Sequence, residues 1–338
     1  MASTAERLLD GRVRLKHLTL VAAIAEQGSL VGAAHALNVT QPHVSRGLQE
    51  IEAAIGAPLF ERGARGVIPT PQGGIFIDHA HAVLNTMRHA GARLEDYALG
   101  RTSGHVRVGV NLATVHRLLP EAILLFKQGF PHVTVSLLEE YQHALTGMLN
   151  RGEIDMIIGR LPTERADEHR YLRLLDDPLV LAVRNGHPGV GVTVTVPDLM
   201  SYPWVLPGHS SVFRGELDGL FRIHGLDQPR NLIESSTFTA TKPILEQTDA
   251  IAALPQSLVD EEDMLAPLAP SLDAVPAEIG VTIKAGSVSD NARTQLIASV
   301  LDAARGTVPS PQQVADSLSL AHDFVEDADG GPSSRTLR

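Results

Sequence analysis

Between Ser29 and Ile55 apolar residues recur at helical spacing in two short runs separated by a tight turn. Leu30, Ala33, Ala34 and Leu37 mark one face of a first helix entered through the N-cap residue Ser29, Asn38 and Val39 make the turn, and Thr40 opens a second helix. In that second helix Val44, Leu48, Ile51 and Ile55 share one stripe, and Pro42, Ser45, Arg46 and Gln49 share the opposite face. The pattern predicts a helix-turn-helix whose outward face is small, polar and cationic. The small residues Gly32, Ala33, Ala34 and Ala36 allow the two backbones to cross closely. A supporting helix precedes them, with Leu18, Val21, Ala22 and Ala25 inward, and Gly56 ends the second helix.

The pattern then changes twice. Leu59 to Ile68, with Gly63 and Gly66 around Ala64 and Arg65, reads as a short hairpin or wing from which Arg62 and Arg65 project. Thr70 and Pro71 open a long helix in which Phe76, Ala80, Val83, Met87, Ala90, Leu94 and Tyr97 alternate four- and three-residue steps. That seam predicts a helix of roughly 40 Å that pairs with a second copy of itself, packing against its own domain being the alternative. After the polar hinge Gly100 to Gly104, strands and helices alternate as in an α/β domain. Strands are expected at His105–Val110, Val133–Leu138, Ile154–Ile158, Ile251–Leu254 and Val281–Lys284, and Leu179–Val183 is expected to begin a crossing to a second subdomain. Helices are expected at Leu118–Gly129, Ala144–Arg151, Phe213–His224 and Asn291–Ala304. Beyond about Thr307 the chain is rich in Pro, Ser, Gln, Asp and Gly and reads as a disordered tail.

Composition narrows the function. The 338 residues are too many for one ordinary core. No run of eighteen apolar residues occurs, and the first residues lack the apolar core of a secretory signal, so a cytoplasmic protein without a membrane partner is expected. The absence of cysteine leaves any metal site to His and carboxylates. His79 and His81 stand two apart and face different ways on a helix, and no metal is expected. The net charge of −11 belongs to the later part of the chain, because residues 12–70 hold six Lys or Arg against four Asp or Glu. Repulsion from the acidic remainder places more of any affinity for DNA on pairing of subunits and on specific contacts. The fifteen His are scattered, and there is no P-loop, Gly-x-Ser-x-Gly or His-Glu-x-x-His, so an enzyme is not expected.

The stretch from Leu18 to Gly73 resembles the DNA-binding domain of LysR-type transcriptional regulators. The resemblance rests on Gly28-Ser29, Ala33-Ala34, Gln41-Pro42, Ser45-Arg46, Ile51-Glu52, Gly56, the run Leu59 to Arg62, Thr70 and Gly73. Gly47 departs from it, a better helix former being expected there at a difference of about 1 kcal/mol. The order of elements after Gly104 is similar to the two-lobed effector domain of the same regulators, itself like periplasmic solute-binding proteins. The fold expected is therefore α/β with an N-terminal winged helix-turn-helix (12–70), a linker and dimerisation helix (71–100), a two-lobed effector-binding domain (104–306) and the tail (307–338).

The resemblance implies a regulator that binds an inverted-repeat operator as a dimer or a dimer of dimers, with double-stranded DNA, its own copy and RNA polymerase as partners. Ser29, Thr40, Gln41, Pro42, Ser45, Arg46, Gln49, Arg62 and Arg65 are the expected DNA contacts, Gln, Ser and Arg having the donors and acceptors for base edges and phosphates. Phe76, Ala80, Val83, Met87, Leu94 and Tyr97 are the expected dimer contacts. A small-molecule co-inducer is expected at the carboxyl ends of strands, where Asn111, Thr114, Arg160, Ser210, Ser235 and Thr237 supply hydroxyls, helix N-termini and a charge. These favour a small organic acid, aromatic or sugar-derived. For Arg160 the alternative is a structural ion pair with Asp155 or Glu153. The competing function is a solute-binding or small-molecule enzyme domain with a helical appendage.

Overall fold

A computed structural model of the chain describes residues 4–63, 66–98, 104–110, 118–209, 211–235, 237–272, 277–287, 291–306, 311–326 and 335–336. The chain divides into two compact units, residues 1–102 with 147–153, and 103–146 with 154–338. In the first unit α1 (Thr4–Leu9), α2 (Leu15–Gln27), α3 (Leu30–Ala36) and α4 (Gln41–Ile55) are followed by the antiparallel strands β1 (Phe60–Gly63) and β2 (Gly66–Pro69) and by the long α5 (Pro71–Ala98). Each boundary has a local cause. The Ser29 hydroxyl accepts the Gly32 N–H at 3.0 Å and caps α3. Gly56, at φ +84°, closes α4 in the left-handed conformation that a side chain would resist. The Thr70 hydroxyl accepts the Gly73 N–H at 2.9 Å and starts α5. Leu20, Val21 and Ile24 of α2, Ala33 and Ala34, Val44 and Ile51, Leu59, Phe60 and Ile77 form one buried core.

Gly47 has a packing reason: a Cβ there would lie 2.6 Å from Cδ1 of Leu20, so the missing side chain is what lets α4 rest on α2. The long seam on α5 needs a correction. Ala80 is buried and Phe76 packs against the core of its own unit, so these two face inward on their own subunit instead of toward a second copy. Val83, Met87 and Leu94, by contrast, are 45%, 54% and 70% exposed. The inward stripe is Ile77, Ala80 and Leu84, and the exposed residues lie about a quarter-turn around the helix from it. Tyr97 lies in the last turn of α5.

The second unit holds two sheets. In chain order it runs β3 (His105–Val110), α6 (Leu118–Gly129), β4 (Thr134–Glu139), α7 (Gln142–Asn150, whose residues from Gly147 on count with the first unit), β5 (Met156–Arg160), β6 (His169–Asp176), β7 (Leu179–Arg184), α8 (Val196–Leu199), β8 (Trp204–Leu206), α9 (Val212–Ile223), β9 (Leu232–Glu234) and α10 (Phe238–Gln247). It continues β10 (Ile251–Pro255), α11 (Gln256–Asp260), β11 (Leu265–Ser271), β12 (Glu278–Lys284), α12 (Asn291–Ala304), α13 (Pro311–Glu326) and β13 (Arg335–Thr336). The first lobe is a sheet ordered β13-β6-β12-β5-β3-β4, the second a sheet ordered β11-β7-β10-β8-β9. In each lobe three consecutive parallel strands have the order second-first-third: β4-β3-β5, and β9-β8-β10. The chain passes between the lobes at Asp177–Pro178 and again between β11 and β12.

The expected helices and strands of this unit are all present, with ends shifted by up to three residues. One expectation is overturned. Residues 311–326, assigned above to a disordered tail, form α13, whose Ala321, Phe324 and Val325 join the core of the first lobe. The Pro and Gln at the start of this segment hid apolar positions that follow a helical spacing through Leu318, Ala321 and Val325. α13 covers α12, which is buried nearly all round, Leu296, Ile297, Val300 and Leu301 together with Thr294 and Asp302.

Candidate nucleic-acid interface and effector cleft

In the first unit the apolar stripe of α4 is consumed by the core, and what remains outward is polar. Gln41, Pro42, Arg46 and Gln49 are exposed and Ser45 is half-buried on the same side. The Thr40 hydroxyl makes no capping bond to α4 and is exposed, whereas that of Ser29 is engaged in capping α3. His43, which the pattern did not single out, is also exposed in the first turn of α4. Its signal was its place in the turn whose residues reach base edges in helix-turn-helix proteins. Arg62 lies in β1, and Arg65 lies outside the described residues.

Two side chains fix the orientation of α4. Glu52 Oε1 accepts the N–H groups of Leu59 and Phe60 at 2.8 and 3.4 Å, binding the helix to the hairpin. His17, buried in α2, accepts the Arg14 N–H on Nδ1 at 3.3 Å and brings Nε2 to 3.5 Å from Glu50 of α4. Burial, aided by Lys16, holds the His17 pKa below its ordinary 6.5. The hairpin is tied back by the Val67 N–H donated to the Gly28 carbonyl at 2.9 Å.

In the second unit the strand order reverses between β3 and β5 in one lobe and between β8 and β10 in the other, so the crevices beyond their carboxyl ends are where α/β sheets take ligands. These ends face each other. A Cβ on Gly208, just after β8, would stand 3.6 Å from the hydroxyl of Tyr141, just after β4. Asn111, Thr114 and Ser210 lie outside the described residues. Ser235 and Thr237 do come together at the start of α10. The Ser235 hydroxyl donates to the Thr237 carbonyl at 3.2 Å and accepts from the hydroxyl of the buried Thr241 at 3.1 Å.

Arg160 is the last residue of β5. Only 5% exposed, it donates Nη2 to the carbonyl of Asp177 in the crossover at 2.7 Å. The acids considered as its ion-pair partners are engaged otherwise, Asp155 with Arg107 at 3.2 Å and Glu153 with Arg151 at 2.7 Å. Asp177 in turn accepts from the N–H and hydroxyl of Ser257 at 3.0 and 2.8 Å, which caps α11, and gives its own N–H to Ala277 of the return crossover at 2.8 Å. Arg160, Asp177 and Ser257 thus form a hinge at the crossover. Sequence spacing offered no signal for Asp177, whose partners are 17 to 100 positions away.

Comparison with known proteins places both units. The profile described as bacterial regulatory helix-turn-helix protein, lysR family, matches residues 15–74, and that of the LysR substrate binding domain matches residues 99–305. The chain belongs to the LysR family of transcriptional regulators. This LysR-type DNA-binding regulator is 32% identical over 253 residues to the HTH-type transcriptional regulator GbpR of Azospirillum brasilense, covering 74% of each chain. It is 30% identical to the SDS degradation transcriptional activation protein of a Pseudomonas strain, over 88% of this chain and 98% of the other. Its fold is similar to the crystal structure of the LysR family regulator CbnR, with a TM-score of 0.57 at 23% identity, covering 86% of this chain and 99% of that one. Among the described residues of the LysR-type chain no helix is long and apolar enough to cross a membrane, and no group of three His or acidic residues is placed to hold a metal ion.

Proposed function

We propose that this LysR-type regulator acts in the cytoplasm on an inverted-repeat operator, as a dimer or a dimer of dimers, and works with RNA polymerase there. Gln41, Pro42, Ser45, Arg46 and Gln49 meet the major groove, and the arginines of the wing, Arg62 and Arg65, meet the flanking minor groove. The observation that supports this most is the division of α4: Val44 and Ile51 are fully buried while Arg46 and Gln49 are exposed. The effector of this reading is a small organic anion, an aromatic or sugar acid, received in the cleft by Asn111, Thr114, Ser210, Ser235 and Thr237. Arg160 serves it through the hinge. A ligand that prefers one spacing of the lobes by a few kcal/mol moves the equilibrium between two states of the bound regulator.

Footprinting of the purified protein on DNA upstream of its own gene, with and without benzoate and gluconate, tests the reading. Two protected half-sites separated by about one helical turn or a multiple of it are expected, with a change in their extent on adding one of the acids. Protection of a single half-site, or none, would remove the operator reading.

A further inference from the structure

Among the described residues the most deeply buried charge outside the hinge is Arg214, on α9 and 1% exposed. It occupies the apolar stripe of its helix, three and seven positions before the buried Leu217 and Phe221, where an aliphatic residue would satisfy the core. A guanidinium there is desolvated, and such a charge persists only when its donors are met. They are met by α9 itself, the segment after it and the carboxyl ends of β8 and β9. Nε donates to Asp218 Oδ1 at 3.0 Å, and Nη1 donates to both the Pro207 carbonyl and Glu234 Oε1 at 3.0 Å. Nη2 donates to Gln228 Oε1 at 3.1 Å, and Gln228 Nε2 returns to Asp218 Oδ1 at 3.2 Å.

Pro207 begins the loop after β8, at the strand-order reversal, and Glu234 ends β9, immediately before Ser235. We propose that Arg214 is the positioning residue of the effector cleft: one planar fork ties the two loops that receive the effector to α9 and to each other. This rests on the reading above that the effector sits at those loops. The fixed geometry of five N–H donors suits arginine alone, since a lysine offers a single compact ammonium that cannot reach both loops and Gln228 at once. The loop after β8 is the one that meets Tyr141 of the first lobe through Gly208. Its placement therefore sets where closure of the cleft stops. Trp204 of β8 packs edge-on against Phe221 of α9, 5.2 Å between rings, so strand and helix form a rigid base under the fork.

Hydrogen–deuterium exchange on the full-length protein tests the clamp. Arg214→Met keeps the apolar stem and removes the guanidinium from Glu234, Asp218 and the Pro207 carbonyl, leaving Asp218 to Gln228 and Glu234 to His209. It should quicken exchange about tenfold or more in residues 205–212 and 232–238, with residues 15–60 and the first lobe unchanged. Glu234→Gln, the milder variant, should quicken 232–238 alone, and Arg214→Lys should behave as the methionine variant does. Unchanged exchange in the two loops, or a rise spread evenly through β7, β10 and β11, would overturn the clamp. In a second arm benzoate, gluconate and galactarate are titrated calorimetrically into wild type and Arg214→Met. A probe that binds the wild type should lose about tenfold or more in affinity, while operator binding without probe stays constant. Equal affinity despite quickened loops would displace the effector from this cleft and leave the clamp standing. If none of the three binds the wild type, the exchange result alone decides.

Discussion

At Gly47 two effects of a single methyl group oppose each other. Alanine would favour the helix by about 1 kcal/mol. Its Cβ, however, would sit 2.6 Å from a terminal methyl of Leu20, a core side chain only 4% exposed, and overpacking of this kind costs about 1–3 kcal/mol. Gly47→Ala should therefore lower the thermal midpoint, and a raised midpoint would show that the two helices have slack. Arg46→Ala removes an exposed side chain, so stability should hold within about 0.5 kcal/mol while specific operator binding falls by about 1–3 kcal/mol in a gel-shift titration. Unchanged affinity would take Arg46 out of the interface. Such positions were legible in the sequence because exposure on an amphipathic helix follows from period alone. Glu52, Arg214 and Asp177 were not, because their partners are brought together only by the folded chain.

The buried imidazoles give a residue-scale dependence on pH. His187, His169 and His17 are each held below their ordinary pKa of 6.5, with burial the largest cause. His187 Nδ1 accepts the Gly189 N–H at 2.9 Å, a bond the protonated ring cannot keep. Because the folded values are the lower ones, the unfolded chain takes up protons first as pH falls. Stability is then complete above about 6.5 and declines as pH drops through 6.5 toward the lowered folded values. Melting curves between about pH 7.5 and 5.5 should show the midpoint falling by a few degrees, and His187→Asn should flatten the fall. A midpoint constant across that window would contradict the assignment.

At the scale of elements, α13 is as much a part of the first lobe as the strands are. Phe324 and Val325 are 4% and 7% exposed, and burying each side chain contributes about 1.5–3 kcal/mol. Polar contacts hold both ends. The fully buried Ser317 hydroxyl donates to Asp302 Oδ1 at 2.6 Å beside Arg305, and Arg170 of β6 donates to the Phe324 carbonyl at 3.0 Å. Phe324→Ala should destabilise the chain by about 3 kcal/mol, and Ser317→Ala by about 0.5–1.5 kcal/mol through the lost hydrogen bond alone, since Asp302 keeps Arg305 at 3.1 Å. Denaturant titration would reveal either. No loss in both variants would mean that the helix is not docked. The misreading of this segment has a physical source, since composition averages over residues whereas a helix needs only one apolar stripe in three or four to dock. The α/β alternation was legible because strands and helices differ in period. Short strands such as β8 and β9, three residues each, hold too few positions for any period to show.

For the whole molecule the decisive quantity is how the acidic chain holds DNA at all. With a net charge of −11 and a local excess of only two positive residues over 12–70, one DNA-binding unit gains little from phosphates, and salt screens even that. Joining two units changes the arithmetic, because the second half-site is then bound at an effective concentration set by the link, which adds about 10²–10⁴ to overall affinity. The link proposed is the exposed face of α5 at Val83, Met87 and Leu94, a row that the fold of one chain leaves in water. Met87→Lys with Leu94→Lys alters exposed positions, so the fold should stand with melting unchanged within about 0.5 kcal/mol. The charges would repel across a seam that needs apolar contact, so sedimentation equilibrium should show monomers in place of dimers. Affinity for the inverted repeat should then fall by about 100-fold or more, while affinity for an isolated half-site stays as in the wild type. A variant that remains dimeric would move the interface away from this row, and a monomer that still held the full operator tightly would show that single units suffice.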